Sequence, residues 1–338
     1  MKKGEKILPK KLKILHLIQH MKVGGAQRAL INIIRSTSLC FEYIVVSTLN
    51  HYESELEELQ IKFIDYAQKN LIKIIMEELP DIIHYHWWPG FKMIPKSRIP
   101  HGCRVIVTVQ DPAPVEDIQA DVYVSGSDFI DRFQEHIGRN RRIVIKSYID
   151  VQQFILNRRK TTGIIIGRHS TIYENKIPKN YIANLVDFNL DATFIIVGDG
   201  DPILIDKLNE DIMIYQAQNM INIWPGSRIN EMLSICDIFL YLTPDDSLEG
   251  FANVISEAMV AGIPIIAEKK GGNSEQIIHG ETGFLCTGYK QARDFCQVLI
   301  QDEILRMKMG ENAKKRGATF DRHIMGKLYD QVYINLAE

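Results

Sequence analysis

Residues 237–269 read DIFLYLTPDDSLEGFANVISEAMVAGIPIIAEK, and this stretch decides the fold. Two short apolar runs, DIFLYLT (237–243) and IPIIAEK (263–269), have the length and side chains of buried strands. Between them lies a helix expected over 253–261, which Gly262 and Pro264 stop in the usual way. Strand, loop, helix and strand in that order make a crossover unit with parallel strands. Continuous rather than alternating apolar runs imply a sheet covered on both faces.

The same alternation extends in both directions. Upstream in this half are strand candidates GIIIG (163–167) and TFIIVGDG (193–200), with helices expected at 178–187, 228–235 and, downstream, 289–316. The first half repeats the theme with KILHLI (13–18), YIVVST (43–48), IKFI (61–64), DIIHYH (81–86), RVIVTV (104–109) and DVYVSG (121–126). Helices are expected there at 26–36, 52–60 and 68–79. The pattern therefore predicts an α/β chain of two doubly wound, Rossmann-like domains, residues 1–150 and 151–318, facing across a cleft. The linker falls near 147–161, where the apolar periodicity lapses. Residues 319–338 form a last helix, apolar at Ile324, Leu328, Val332 and Leu336, expected to pack back on the first domain.

Composition sets the outer limits. With 338 residues and 46% hydrophobic content the chain can bury a large core. Forty Lys+Arg against forty-two Asp+Glu exclude a chain-wide basic footprint, so no nucleic-acid partner is expected. No apolar run reaches the roughly 18 residues of a membrane span. Five scattered cysteines show no CxxC pair and no metal-ligand spacing, so no metal site is expected. These features lead to the expectation of a cytoplasmic protein with reduced thiols.

In doubly wound sheets ligands bind outside the carboxyl ends of the strands, so motifs there matter most. Gly24-Gly25, between the first strand and its helix, lets backbone approach a ligand closely, although any tight strand-to-helix turn uses the same residues. His84 and His86 share one side of their strand, His86 near its carboxyl end beside Trp87 and Trp88. His86 can bond a sugar hydroxyl or sit in the core. The pair also has metal-ligand character, but no third ligand follows at suitable spacing. Arg168 and Lys176 in GRHSTIYENK offer a guanidinium and an ammonium suited to a diphosphate. Glu249 lies in the loop before the 253–261 helix and Glu257 inside it, so the two carboxylates can address different parts of one elongated ligand. Asn253 is expected to cap that helix, whose free N–H groups suit phosphate.

Taken together, GGAQRALINII, DIIHYH, GRHS…K, IVGDG and EGFANVISEAMVAGIPIIAEKKGGNSEQIIHGETGFL resemble the retaining GT-B glycosyltransferases of the large family 4, the glycosyl transferases group 1 type. The resemblance runs from about residue 13 to 287 in order. It implies that Glu249 and Glu257 form the family's Glu-x7-Glu pair, holding donor-sugar and ribose hydroxyls respectively. Gly250, Phe251 and Ala252 would offer backbone N–H groups, with Asn253, Val254 and Ile255 at the pyrophosphate. Arg168 and Lys176 would neutralise the departing diphosphate, His86 would stand beside the anomeric centre, and Gly24-Gly25 would close over phosphate and acceptor. The loop at Trp224 falls where the family holds the base. Catalytic roles thus fall on His86, Glu249, Arg168 and Lys176.

The implied reaction moves a hexose or N-acetylhexosamine from a nucleotide diphosphate sugar, with UDP the expected nucleotide, to a hydroxyl of a saccharide, lipid-linked or small-molecule acceptor. Configuration at the anomeric carbon is retained. Neither a metal nor another cofactor is implied by the resemblance. Departures include Gln110 where many members carry a histidine, Ala252 in place of Gly or Pro, and the long spacing from Arg168 to Lys176. A GT-B sugar-nucleotide epimerase and a nucleotide-sugar-binding protein without turnover are the alternatives. The lysines of residues 2–13 could contact anionic lipid at the inner face of the membrane, or be a solvated tail.

Overall fold

The computed structural model describes residues 11–22, 24–38, 40–87 and 89–338, and the chain divides into two compact units. Unit 1 holds the chain up to Lys146 together with Arg322–Glu338, and unit 2 is Ser147–Asp321.

Unit 1 carries β1 (Leu12–Met21), α1 (Gly25–Ser36), β2 (Phe41–Asn50), α2 (Glu53–Glu58), β3 (Lys62–Asp65), α3 (Leu71–Glu78), β4 (Ile82–Trp87), β5 (Arg104–Val109), β6 (Val122–Ser125), α4 (Asp128–Asp131) and β7 (Arg142–Val144). Its seven strands pair in parallel in the order β3-β2-β1-β4-β5-β6-β7. Unit 2 carries β8 (Ile165–His169), α5 (Tyr181–Asp187), β9 (Thr193–Val197), α6 (Pro202–Ile214), β10 (Ile221–Trp224), α7 (Ile229–Ile235), β11 (Ile238–Tyr241), α8 (Asn253–Val260), β12 (Ile265–Glu268), α9 (Asn273–Gln276), β13 (Gly283–Cys286), α10 (Tyr289–Gln301) and α11 (Glu303–Gly317). Its sheet runs β10-β9-β8-β11-β12-β13, again all parallel. The final helix, α12 (Arg322–Ala337), belongs to unit 1.

Apolar strands buried on both faces explain these sheets. All six residues of β4 and all four of β11 are buried. In unit 2 alternate residues feed two cores. Ile166, Ile196, Leu240 and Ile266 pack on one face of the sheet, while Ile165, Ile195, Phe239 and Ile265 pack on the other. Three strands are entered through an aspartate that bonds the neighbouring strand. Asp81 accepts from the Lys13 N–H at 2.8 Å, Asp121 from Val105 at 2.8 Å and Asp237 from Ile165 at 2.9 Å. Each satisfies a backbone donor that the staggered start of a parallel pair would leave open.

Several elements differ from the sequence reading. The single helix expected at 289–316 is two, because Asp302 turns its carboxylate onto the Leu305 N–H at 2.8 Å and caps a new helix. The short strands β7, β10 and β13 and the helix α6 were not anticipated. Asp201 starts α6 by accepting from Ile203, with Pro202 in the first turn.

Candidate functional site

Each sheet reverses its strand order once, between β1 and β4 in unit 1 and between β8 and β11 in unit 2. The carboxyl ends of those pairs are where an open α/β sheet forms a crevice. In unit 2 these ends bring together Arg168, Lys176, Tyr241 and Glu249. The Lys176 ammonium donates to Glu249 Oε1 at 2.5 Å, and the Tyr241 hydroxyl donates to the same oxygen at 2.9 Å. Tyr241 is wholly buried, and burial first, then the Glu249 charge, raises its hydroxyl well above the usual tyrosine range. It is therefore a fixed donor.

Arg168 departs from its expected place as an open cation at the strand end. It is 2% exposed, with its guanidinium between the rings of Tyr181 and Tyr241, about 5 Å from each centroid. Its N–H groups donate to the Leu242 carbonyl, to the Lys176 carbonyl at 2.5 Å and to Ser170 Oγ at 3.3 Å. Alternation along β8 sets Arg168 on the face of Ile166 and Tyr181, with its guanidinium also reaching the Tyr241 ring, and its neighbour His169 takes the other face, that of α8. Arg168 thus holds the loop that carries Lys176.

The Glu249 loop is fixed from below by the glycines of Gly271-Gly272-Asn273. The Gly272 N–H donates to the Glu249 carbonyl at 2.7 Å. A Cβ on Gly272 would collide with the Gly250 carbonyl oxygen, and Gly271 has φ +57. Only two glycines permit this approach.

At α8 the expectation that Asn253 caps the helix is corrected. Ala252 occupies the N-cap with extended backbone, held by Gln276, which accepts from the Ala252 N–H at 3.1 Å and donates to its carbonyl at 2.9 Å. Asn253 is consequently the first helical residue, and its buried Oδ1 has no partner. Phe251 packs edge-on against Phe320, while Val254 and Ile255 face the core of unit 2. Glu257, one turn after Asn253, lies 3.6 Å from His169 Nδ1. At the end of β10, the Arg228 guanidinium covers the Trp224 ring at 3.7 Å.

In unit 1, Gly24 precedes α1 and Gly25 opens it, leaving the first N–H groups of a twelve-residue helix free of side-chain caps. His86 is 3% exposed near the end of β4 and pairs through Nε2 with Nδ1 of His16 at 2.9 Å. His84 stacks on His86 with ring centroids 4.4 Å apart. Its own nitrogens pair with the Tyr333 hydroxyl at 2.8 Å and Thr108 Oγ1 at 2.7 Å. His16 is the third histidine that spacing within DIIHYH did not reveal. It sits directly across from His84 in the β1–β4 register, so its signal was a histidine at the matching place in another apolar strand.

Nitrogens of the three rings lie within 4.8 Å of one another. Both His84 nitrogens are engaged by hydroxyls, His16 and His86 bond each other through one nitrogen each, and among the described residues no carboxylate is grouped with them. The cluster is a hydrogen-bonded network of neutral rings. Burial pushes His86 down to about 3 and His16 and His84 well below 6.5.

Trp88, Lys2, Lys3, Lys6 and Lys10 lie outside the described residues. Lys13 is engaged within unit 1, donating to the Glu78 carbonyl at 3.1 Å. Among the described residues no helix is long and apolar enough to cross a membrane.

Known proteins resemble this chain in sequence and in fold. The sequence pattern of the family described as glycosyl transferases group 1 matches residues 152–316. The N-acetyl-alpha-D-glucosaminyl L-malate synthase of Bacillus anthracis is 33% identical over 137 residues, 37% of this chain and 32% of that protein. The chain spans 32%, 60% and 26% of the lengths of three curated relatives it matches. Among solved structures, a glycosyltransferase from Rickettsia africae superposes with TM-score 0.81 at 19% identity, over 97% of this chain and 99% of that one. Anabaena HepE, solved in complex with UDP, superposes with TM-score 0.79 at 19% identity, covering 96% and 100%. The fold is that of the GT-B glycosyltransferases. Within it, residues 152–316 match the pattern of the glycosyl transferases group 1 family.

Proposed function

We propose that this chain is a retaining glycosyltransferase that moves a hexose or N-acetylhexosamine from a UDP sugar to a hydroxyl of a saccharide, lipid-linked or small-molecule acceptor. The observation that carries the reading is the fixed Lys176–Glu249–Tyr241 group at the switch point of unit 2. Tyr241 and Lys176 both hold Glu249 Oε1, which leaves Oε2 to accept sugar hydroxyls. The Lys176 ammonium spends one of its three donors on Glu249, and the others can meet phosphate oxygens. The UDP complex of Anabaena HepE supports UDP as the nucleotide.

In this reading the bond from sugar C1 to the β-phosphate oxygen breaks as the acceptor oxygen bonds C1 from the same face. The acceptor proton passes to the departing phosphate, and charge on that phosphate is met by Lys176 and the N–H groups opening α8. Arg168 acts through Lys176 by fixing its loop. The neutral His86 serves as a hydrogen-bonding group beside the sugar. These groups supply the stabilisation that a cation would provide, so turnover is expected to survive EDTA. The cytoplasm, where nucleotide sugars are made, is the proposed location, with lipid contact through the lysines of residues 2–13.

Thermal unfolding with UDP, GDP, ADP and dTDP and their common sugars tests the donor, with mass spectrometry of released sugar and NMR of its anomeric form. A ligand at 100 times its Kd stabilises by about 2.7 kcal/mol. A shift with UDP and release of the retained anomer is the expected result. No shift with any nucleotide would remove the donor-site assignment.

A further inference from the structure

The buried polar atoms of unit 2 without a partner include His169 Nδ1, Asn253 Oδ1 and Glu257 Oε2. His169 ends β8, while Asn253 and Glu257 are four residues apart in α8 and so share one helix face. His169 Nδ1 and Glu257 Oε2 are 3.6 Å apart, a few tenths of an ångström beyond a hydrogen bond. Their side chains are 23% and 16% exposed, so the group has an open side. Buried polar groups are seldom left unpaired, because an unpaired one keeps the cost of its lost hydration. A small movement would close the His169–Glu257 pair, and Asn253 Oδ1 and the other Glu257 oxygen then remain to accept from a ligand that brings hydroxyls.

We infer that His169 is a positioning residue of the donor site: its Nδ1–H bonds Glu257 and aims the carboxylate at the two hydroxyls of the ribose of a nucleoside diphosphate. This rests on the reading of unit 2 as a nucleotide-sugar site. A lone carboxylate on a helix can rotate through several orientations. A bond to one oxygen leaves the other facing outward, where it can take two O–H donors of a cis-diol. His169 would then contribute to discrimination between ribose and deoxyribose, because an enzyme group held for a hydroxyl is left unpaired when that hydroxyl is missing. Arg168 makes the arrangement possible by filling the opposite side of β8, which leaves His169 as the residue turned toward α8.

Two measurements on the full chain test this. The first needs no nucleotide: imidazole nitrogen NMR of the free protein, wild type and Glu257→Gln, with Glu231→Gln as the control for an exposed glutamate. The His169 Nδ1 resonance is expected to move with Glu257→Gln and to stay with Glu231→Gln. No movement would overturn the inference even if UDP binds. The second is calorimetry of UDP and 2′-deoxy-UDP with wild type, His169→Ala and His169→Gln. His169→Ala is expected to weaken UDP about tenfold and deoxy-UDP less than twofold, and glutamine to restore most of the loss. Equal weakening of both nucleotides, or none, would overturn the inference. An intact His169–Glu257 resonance pair with no binding of either nucleotide by wild type would instead overturn the ligand, and so the donor-site reading beneath it.

Discussion

A histidine inside an apolar strand has to stay neutral, and unit 1 holds three side by side. His16, His84 and His86 are each buried, and desolvation is the first cause of their lowered pKa values. In the unfolded chain they titrate near 6.5. Above that value neither state binds the proton, and the full stability is present. As the pH falls below 6.5 the unfolded chain takes up protons that the fold refuses, so stability is lost. Each ring should cost about 1 kcal/mol between pH 6.5 and about 5.5, roughly 3 kcal/mol for the cluster. Urea unfolding at the two values checks this. His86→Gln should make the loss smaller by about 1 kcal/mol, and an unchanged loss would mean that His86 is charged in the fold. Neutrality also bears on chemistry: at pH 7 His86 can offer hydrogen bonds but has no proton to spare as an acid.

At the scale of the element, the strands with apolar runs buried on both faces were legible, because burial on two sides leaves only one way to write them. The aspartates opening DIIHYH, DVYVSG and DIFLYLT were visible too, though their bonds to neighbouring strands were not. The missed strands β7, β10 and β13 have three or four residues, too few to establish a period. Helix α6 keeps Ile203, Met213 and Ile214 exposed, which blurs its apolar face. Glu249 and Glu257 stood out from strand–loop–helix context, whereas their supports Tyr241 and His169 read as ordinary strand residues. The GGN segment carries a prediction at this scale. Gly272→Ala must displace the Gly250 carbonyl or the turn itself. A loss of roughly 1–3 kcal/mol is expected in thermal unfolding, from strain of that kind. UDP affinity should fall at least tenfold with unchanged far-ultraviolet dichroism, because the Glu249 carbonyl loses its Gly272 donor. Unaltered stability and affinity would show that the glycines do not hold the loop.

For the whole molecule, the decisive fact is that unit 1 is assembled from two distant parts of the chain while unit 2 is continuous. No local pattern couples His84 to Tyr333 or Thr108 to Tyr329, which is why the sequence pointed to a returning helix but not to the network it completes. The Tyr329 hydroxyl pairs with Thr108 Oγ1 at 3.0 Å and Tyr333 with His84, both inside unit 1. Asp330 accepts from the Ser38 N–H at 2.8 Å, and Gly326 lets α12 press against Ser36 at the end of α1. Ending the chain at Asp321 removes all four contacts and uncovers the α1 face, yet leaves every residue of unit 2 in place. Hydrogen exchange should then show β1 and β4 losing protection while β8, β11 and α8 keep theirs. Tyr333→Phe gives the graded version: it leaves one buried His84 nitrogen unpaired, at a cost of about 1–3 kcal/mol confined to unit 1. Equal loss of protection in both units on truncation would mean that the chain unfolds as one body, and that α12 supports unit 2 as much as the sheet it covers.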